Sequence, residues 1–408
     1  MHELERIVKE QKEGKRAGIC SVCSSSPFVI DAAISEAKER NTHVLIEATA
    51  NQVNQHGGYT GMEPADFRDM VLSRADHFGL ERSRVILGGD HLGPVAWKDK
   101  NPKEAMNLAE ELVTEFAKAG FEKIHIDTSM PLGDEKTLST EEIADRAARL
   151  IDACEENFRG KHPYYVIGSE VPTPGGSGSE DALAVTEPDD LKFMLECFEE
   201  RLSPDVWERV IAAVVQPGVE FGNTGTHEYV PEDARELVAA AKEIDGIVLE
   251  GHSTDYQKEE SLASMVRDGV GILKVGPALT FAAREALYAL SYIEDEMDID
   301  DKSDFINVLD RCMLAHPESW RGHYTDKEPE STMLRKFSLS DRSRYYMSYP
   351  EVKAAIDKLF KNTGDMPDVL LSQFMPVQAG KGMEKEPENL VIDHIKEVLD
   401  IYWRACGQ

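Results

Sequence analysis

Asp90 and His91 stand side by side in the stretch GGDHLGP (88–94), directly after the apolar run RVIL. An acid beside an imidazole at the end of a buried strand suits one kind of chemistry. The imidazole holds a divalent ion and the carboxylate carries a proton. Three imidazoles and a carboxylate from separate parts of the chain, His91, Glu170, His227 and His252, make a ligand set for zinc or another borderline ion with an open position. Asp127 is a second candidate proton carrier, and Glu170 could assist as well as ligate. Lys274, flanked by apolar residues in ILKVG, would be costly to bury and is expected to line a pocket. Ser24, Glu47, Asn51, Gln216, Ser253 and Asp255 fall at comparable places in their segments and are candidate substrate contacts.

Each has a plainer alternative. His91 could be a turn residue and His227 an exposed loop residue. His125, inside KIHIDTS, reads as a hydrogen-bonded core histidine. GGSGS (175–179) is a flexible loop or, following Glu170, a phosphate cradle. Consecutive strand residues point to opposite faces, so a turn must bring Asp90 and His91 to one site. Gly88 and Gly89 are expected to permit it.

The elements that must position these residues follow one rhythm. Short apolar runs at 17–25, 43–49, 84–91, 123–129, 164–170, 210–218, 246–254 and 271–277 alternate with helical patterns. Eight mostly apolar strands, each followed by a helix, predict a (β/α)₈ TIM barrel over residues 1–296, with the candidate residues at the C-terminal ends of the strands. A doubly wound sheet is the rival, but no G-x-G-x-x-G follows the first strand. Beyond an acidic linker, 297–408 shows helical patterns and no strand signals. It reads as a C-terminal helical appendage that packs on the barrel, covers its mouth or forms a subunit interface.

The 408 residues carry a net charge of −31, which disfavours nucleic acid and anionic membranes as partners. A phosphorylated substrate would need a local group of cations. No apolar run is long enough to span a bilayer, and a cytoplasmic protein is expected. The six cysteines read as reduced thiols. CSVC (20–23) lacks the second pair that a zinc ribbon needs, and its thiols would point to opposite faces of a strand.

Several motifs carry a resemblance: GGDHLGP, IGSEVPTPGG, VVQPGVEF, EGHSTDYQ, SLSDRSRYYMSYP and LLSQFMPVQ. Together, from about residue 3 to the C-terminus, they resemble the GatZ/KbaZ family. Its members are named as the non-catalytic subunit of class II tagatose-bisphosphate aldolase, and some relatives are 4-epimerases of fructose and tagatose or their 6-phosphates. A kinase label also circulates for the family, but the sequence has no P-loop and no kinase-like glycine loop. The family in turn resembles catalytic class II aldolases. That resemblance implies proton transfer by Asp90, metal ligation by His91, and a further ligand at His252, where Ser253 replaces a glycine of the aldolase pattern. FGNTGTH echoes the aldolase FGN-x-H-G with two extra residues, leaving His227 or Gln216 for that ligand's place. The aldolase phosphate loop after the eighth strand is replaced by LKVGP, and Arg342 and Arg344 of the appendage could supply the lost cations.

The expected function is a metal-dependent 4-epimerase of ketohexose 6-phosphates, with free fructose and tagatose as alternative substrates, working by retro-aldol and aldol steps or by proton transfer at carbon. Zinc is the first choice of ion, with manganese, cobalt, nickel or magnesium as alternatives. The competing expectation is a non-catalytic subunit that stabilises a class II tagatose-1,6-bisphosphate aldolase. Expected partners are a phosphorylated ketohexose, an aldolase catalytic subunit and, equally open, further copies of the chain.

Overall fold

In the computed structural model, which describes residues 1–169, 183–382 and 385–408, the eight apolar runs become eight strands. They are β1 (Ile19–Cys23), β2 (Val44–Thr49), β3 (Val85–Leu92), β4 (Lys123–Ile126), β5 (Tyr164–Ile167), β6 (Val210–Val215), β7 (Val248–Gly251) and β8 (Val270–Val275). Each pairs in parallel with its sequence neighbours. β8 closes on β1 from Ile19↔Ile272 to Val22↔Val275, which completes the expected (β/α)₈ barrel. The runs are apolar on both faces because one side meets helices and the other fills the barrel.

The barrel interior is layered. Near the N-terminal ends of the strands, Ile19, Leu45, Ile86, Val166, Val248 and Ile272 form an apolar layer. The helix Glu3–Lys12 plugs it from below with Leu4, Ile7 and Val8. That helix starts at His2, whose ring accepts from Leu4 N while Glu5 accepts from His2 N, a reciprocal cap. One step toward the mouth the layer becomes charged, with Glu47, Lys123 and Glu250 all fully buried.

The chain after residue 296 does two things. Its last helix, Pro387–Cys406, returns to the barrel wall and packs against Pro27–Glu39, Glu259–Arg267, Pro277–Glu296 and β1. Tyr402 Oη donates to Thr254 O at 2.6 Å. A short 3₁₀ turn, Arg342–Tyr346, reaches the barrel mouth. It is pinned by Asp341, whose carboxylate takes Arg284 Nη1 at 2.6 Å and Thr280 Oγ1 at 2.5 Å from the helix after β8. No helix among the described residues is long and apolar enough to cross a membrane. All six cysteines are free. Cys20 packs in the core, whereas Cys23 lines the mouth, the opposed orientation that a strand imposes.

Candidate metal and substrate site at the barrel mouth

β3 ends in a bulge. Gly89 pairs with Ile124 and Leu92 with Ile126, so three steps on β3 match two on β4. The irregularity is absorbed at His91, which takes φ 47°, and it brings both Asp90 and His91 into the mouth. Gly88 and Gly89 were expected to make this turn, but neither has a positive φ. Gly88 instead gives room: a Cβ there would lie 2.6 Å from Glu47 Cγ. The space lets Glu47 lean across to Lys123 Nζ at 2.6 Å, while Glu250 Oε2 meets the same ammonium at 2.8 Å.

Above this buried triad sit three imidazoles. The rings of His91 and His125 are 4.9 Å apart, those of His91 and His252 4.9 Å, and those of His125 and His252 5.1 Å. With Asp90 they each offer a ligand atom, all within 4.8 Å of one another. Carboxylates orient the rings. His91 Nδ1 meets Asp127 Oδ2 at 2.9 Å, and His252 Nε2 meets Glu250 Oε1 at 2.9 Å. Such partners fix which nitrogen is left to ligate. Among the described residues, His125 Nε2 and His252 Nδ1 are buried without a hydrogen-bond partner. Asp90 gathers the rest, accepting from Cys23 Sγ at 2.9 Å, lying 2.9 Å from His125 Nδ1 and bonding Lys274 Nζ. Lys274 also lies 3.0 Å from His252 Nε2.

The electrostatics suit a cation. Burial, with the neighbouring His91, pushes His125 down to about 4; burial also takes His252 to about 3, against the pull of Glu250. Both rings are therefore neutral, with lone pairs to give, at neutral pH. Burial would raise Asp127, but the His91 hydrogen bond and the Ser129 hydroxyl outweigh it and hold the carboxyl below the usual range. Among the described residues, four carboxylates (Glu47, Asp90, Asp127 and Glu250) stand around the rings against two ammonium groups, Lys123 and Lys274, and a divalent ion would offset that excess of acids. The orphaned ring nitrogens and this imbalance both fit a metal of the zinc, manganese, cobalt or nickel kind.

Asp90, His91, His252 and Lys274 open into a cavity of about 530 Å³, within the range of small-molecule sites. Ser24, Asn51, Ser253, Asp255 and Arg344 also line it. Asp255 Oδ1 accepts from Gly276 N at 3.0 Å and Ala278 N at 2.7 Å, closing the start of the Pro277–Glu296 helix. Burial nevertheless pushes its carboxyl up to about 6.

Other expectations are placed elsewhere. Glu170 and the GGSGS stretch lie outside the described residues. His227 sits half-buried on a two-stranded hairpin, Glu220–Phe221 with Thr226–His227, and is not in the imidazole cluster; Phe221 of that hairpin lines the cavity instead. His125, read from the sequence as a core residue, stands with the other two rings. Gln216 turns back on its own loop, its Oε1 accepting from Gly218 N and Val219 N at 2.9 Å each. Glu47 lies beneath the mouth in the Lys123 pair, so it supports the cluster from below rather than facing the cavity. Arg342 is also turned from the cavity, donating to Ser319 O at 2.7 Å. Glu250 ends its strand among the polar positions that the sequence offers at the mouth, whereas Lys123, Tyr59 and Tyr345 are additions that the sequence alone does not single out. A signal existed for the first: Lys123, His125 and Asp127 are two residues apart, which on a strand puts them on one face.

Comparison with known proteins follows the same lines. Residues 4–407 match the family described as D-tagatose-1,6-bisphosphate aldolase subunit GatZ/KbaZ-like. The chain is 44% identical over 420 residues to the D-tagatose-1,6-bisphosphate aldolase subunit GatZ of Klebsiella pneumoniae, with 99% of each chain covered. It is 44% identical over 424 residues to the protein of the same name from Salmonella heidelberg, again with 99% of each covered. A crystal structure described as a probable tagatose 6 phosphate kinase from Sinorhizobium meliloti superposes with a TM-score of 0.87 at 40% identity, covering 95% of this chain and 100% of that one. With its full length matched and its barrel intact, the chain belongs to the GatZ/KbaZ-like family of D-tagatose-1,6-bisphosphate aldolase subunits.

Proposed function

We propose that this chain works as a subunit beside a class II D-tagatose-1,6-bisphosphate aldolase. The observation that supports this is the name shared by relatives 44% identical over 99% of both chains. In this role the barrel binds and stabilises a catalytic partner.

One feature favours a second reading, in which the barrel is itself a metal-dependent 4-epimerase of a ketohexose 6-phosphate. A purely supporting barrel has no physical need for three clustered imidazoles, two with ring nitrogens orphaned among the described residues, beside a cavity of about 530 Å³ that His91 and His252 line. His91, His125 and His252 would hold a divalent ion, with Asp90 beside them and Glu170 as a further candidate. Such an ion supplies Lewis acidity to the sugar's C2 carbonyl and the adjacent hydroxyl.

The chain's own residues do the rest. Asp127 and Glu250 hold the rings of His91 and His252 in one orientation. Asp90, open to the cavity, takes the proton from the C4 hydroxyl as the C3–C4 bond breaks. Lys274, already bonded to Asp90, balances the negative charge that develops on the substrate oxygen. The aldehyde fragment turns over, the bond re-forms on its other face, and Asp90 returns the proton. Ser24, Asn51, Ser253 and Arg344 line the space in which that fragment turns.

One experiment separates the readings. The purified chain is incubated alone with fructose 6-phosphate, after chelation and after adding back zinc, manganese, cobalt, nickel or magnesium, and tagatose 6-phosphate is measured. The epimerase reading expects metal-dependent product that disappears in His91→Ala and His252→Ala. No product with any metal removes that reading. The subunit reading expects the chain to prolong the activity of a class II tagatose-bisphosphate aldolase catalytic subunit, and an unchanged half-life removes it.

A further inference from the structure

Arg344 is a cation at the wall of this cavity in a chain of net charge −31. Its guanidinium lies 4.4 Å from the centre of the Tyr345 ring and lines the same cavity as Asp90 and His91. Nη1 donates to Ser340 O at 2.5 Å and Asp341 O at 2.9 Å, and Nη2 to Tyr345 Oη at 2.9 Å. Among the described residues it has no carboxylate partner. These bonds leave two of its five N–H donors for a ligand. Tyr59 stacks edge-on against Tyr345 at 4.8 Å and lines the cavity with Ser25, so hydroxyls continue from the arginine along the cavity wall. Arg342 stands 5.8 Å from the same ring, and among the described residues its buried Nε has no partner. Two guanidiniums thus flank one aromatic ring, and among the described residues neither forms an ion pair with a carboxylate.

The usual anion position of such a barrel is taken. In (β/α)₈ barrels phosphate commonly sits at a helix N-terminus beyond the last strands. Here Asp255 Oδ1 occupies Gly276 N and Ala278 N. A fixed carboxylate both fills those donors and repels a second anion.

Resting on the reading that this cavity binds a ketohexose phosphate, we infer that it takes a sugar with a single phosphate. Arg344 of the helical extension reads that phosphate with the Tyr59 and Ser25 hydroxyls, and Asp255 denies a second one. The extension, not the barrel loops, would then set phosphate selectivity.

Calorimetric titration of the metal-loaded full chain with fructose, fructose 6-phosphate and fructose 1,6-bisphosphate tests this. Fructose 6-phosphate should bind about 10- to 100-fold more tightly than fructose, the range of a forked, charge-assisted pair. In Arg344→Met the ratio of the two affinities should fall most of the way to one. Arg344→Lys, which keeps the charge without the fork, should leave an intermediate ratio, and it decides the matter if the methionine variant does not fold. The bisphosphate should bind no more tightly than the monophosphate. An unchanged ratio in the arginine variants, or tighter binding of the bisphosphate, overturns the inference. Phosphate-selective binding without turnover supports it and removes only the epimerase reading.

Discussion

Replacing Lys123 by methionine should destabilise the barrel through charge rather than through volume. The ammonium lies 2.6 Å from Glu47 and 2.8 Å from Glu250, and all three side chains are fully buried. Methionine nearly fills the same space, so little cavity is created. What it leaves is a pair of carboxylates without their shared cation, and breaking such a buried set costs about 3–5 kcal/mol. An unfolding entropy of about 2.1 cal/mol/K per residue gives about 0.9 kcal/mol/K for 408 residues. The melting temperature should therefore fall by about 4–6 °C. The double variant Glu47→Gln, Lys123→Met removes one orphaned charge while Glu250 keeps His252 and Lys274 nearby. It should recover at least half of the loss, a coupling of about 1.5 kcal/mol or more. Thermal unfolding of the wild type, both single variants and the double variant at pH 7.5 with chelator present measures all four corners of the cycle. A lysine variant within 1 °C of the wild type (about 1 kcal/mol by the same conversion), or single effects that simply add, would refute the reasoning.

Gly88→Ala should act on the same layer, because its methyl would meet Glu47 Cγ at 2.6 Å and push that carboxylate off Lys123. Overpacking of this kind costs about 1–3 kcal/mol, and differential scanning calorimetry should show a loss of that size with no change in helix content. Acid should weaken the fold before the carboxylates titrate. Folding lowers His125 from 6.5 to about 4 and His252 to about 3, so the unfolded chain binds more protons between those values and 6.5. Stability from these rings is complete above pH 6.5 and lost as pH falls, by about 2 kcal/mol per ring at pH 5. Urea unfolding of the metal-free protein at pH 8 and pH 5 should show the loss, and the variant carrying His125→Gln and His252→Gln should lack it; equal slopes would count against neutral buried rings.

The barrel was readable because its strands are apolar on both faces and end in glycine, proline or polar residues. Asp90, His91, His252 and Lys274 were readable for a related reason: a barrel that packs its strands has only one end where such groups are tolerable. Less could be read where geometry depends on partners distant in sequence. The bulge that turns Asp90 and His91 together rests on His91 adopting φ 47°, which no composition announces. His227 and Gln216 belong to a connection that folds back as a hairpin. That hairpin is held by Asn223 against Ser338 and Ser340 of the extension, a contact between residues more than a hundred positions apart. His125 looked like core because isolated histidines in apolar strands usually are. Its spacing from Lys123 and Asp127 was the better guide.

The final helix, Pro387–Cys406, lies between the helix that precedes β8 and the helix that follows β1. A ribosome must therefore pass residue 406 before the flank of the first strand is covered. Until then nascent protein presents an apolar stripe beside Cys20 and Val22, a surface that invites aggregation or chaperone binding. Shortening the C-terminus by a few turns should thus be felt as lost yield in the cell more than as a trimmed tail.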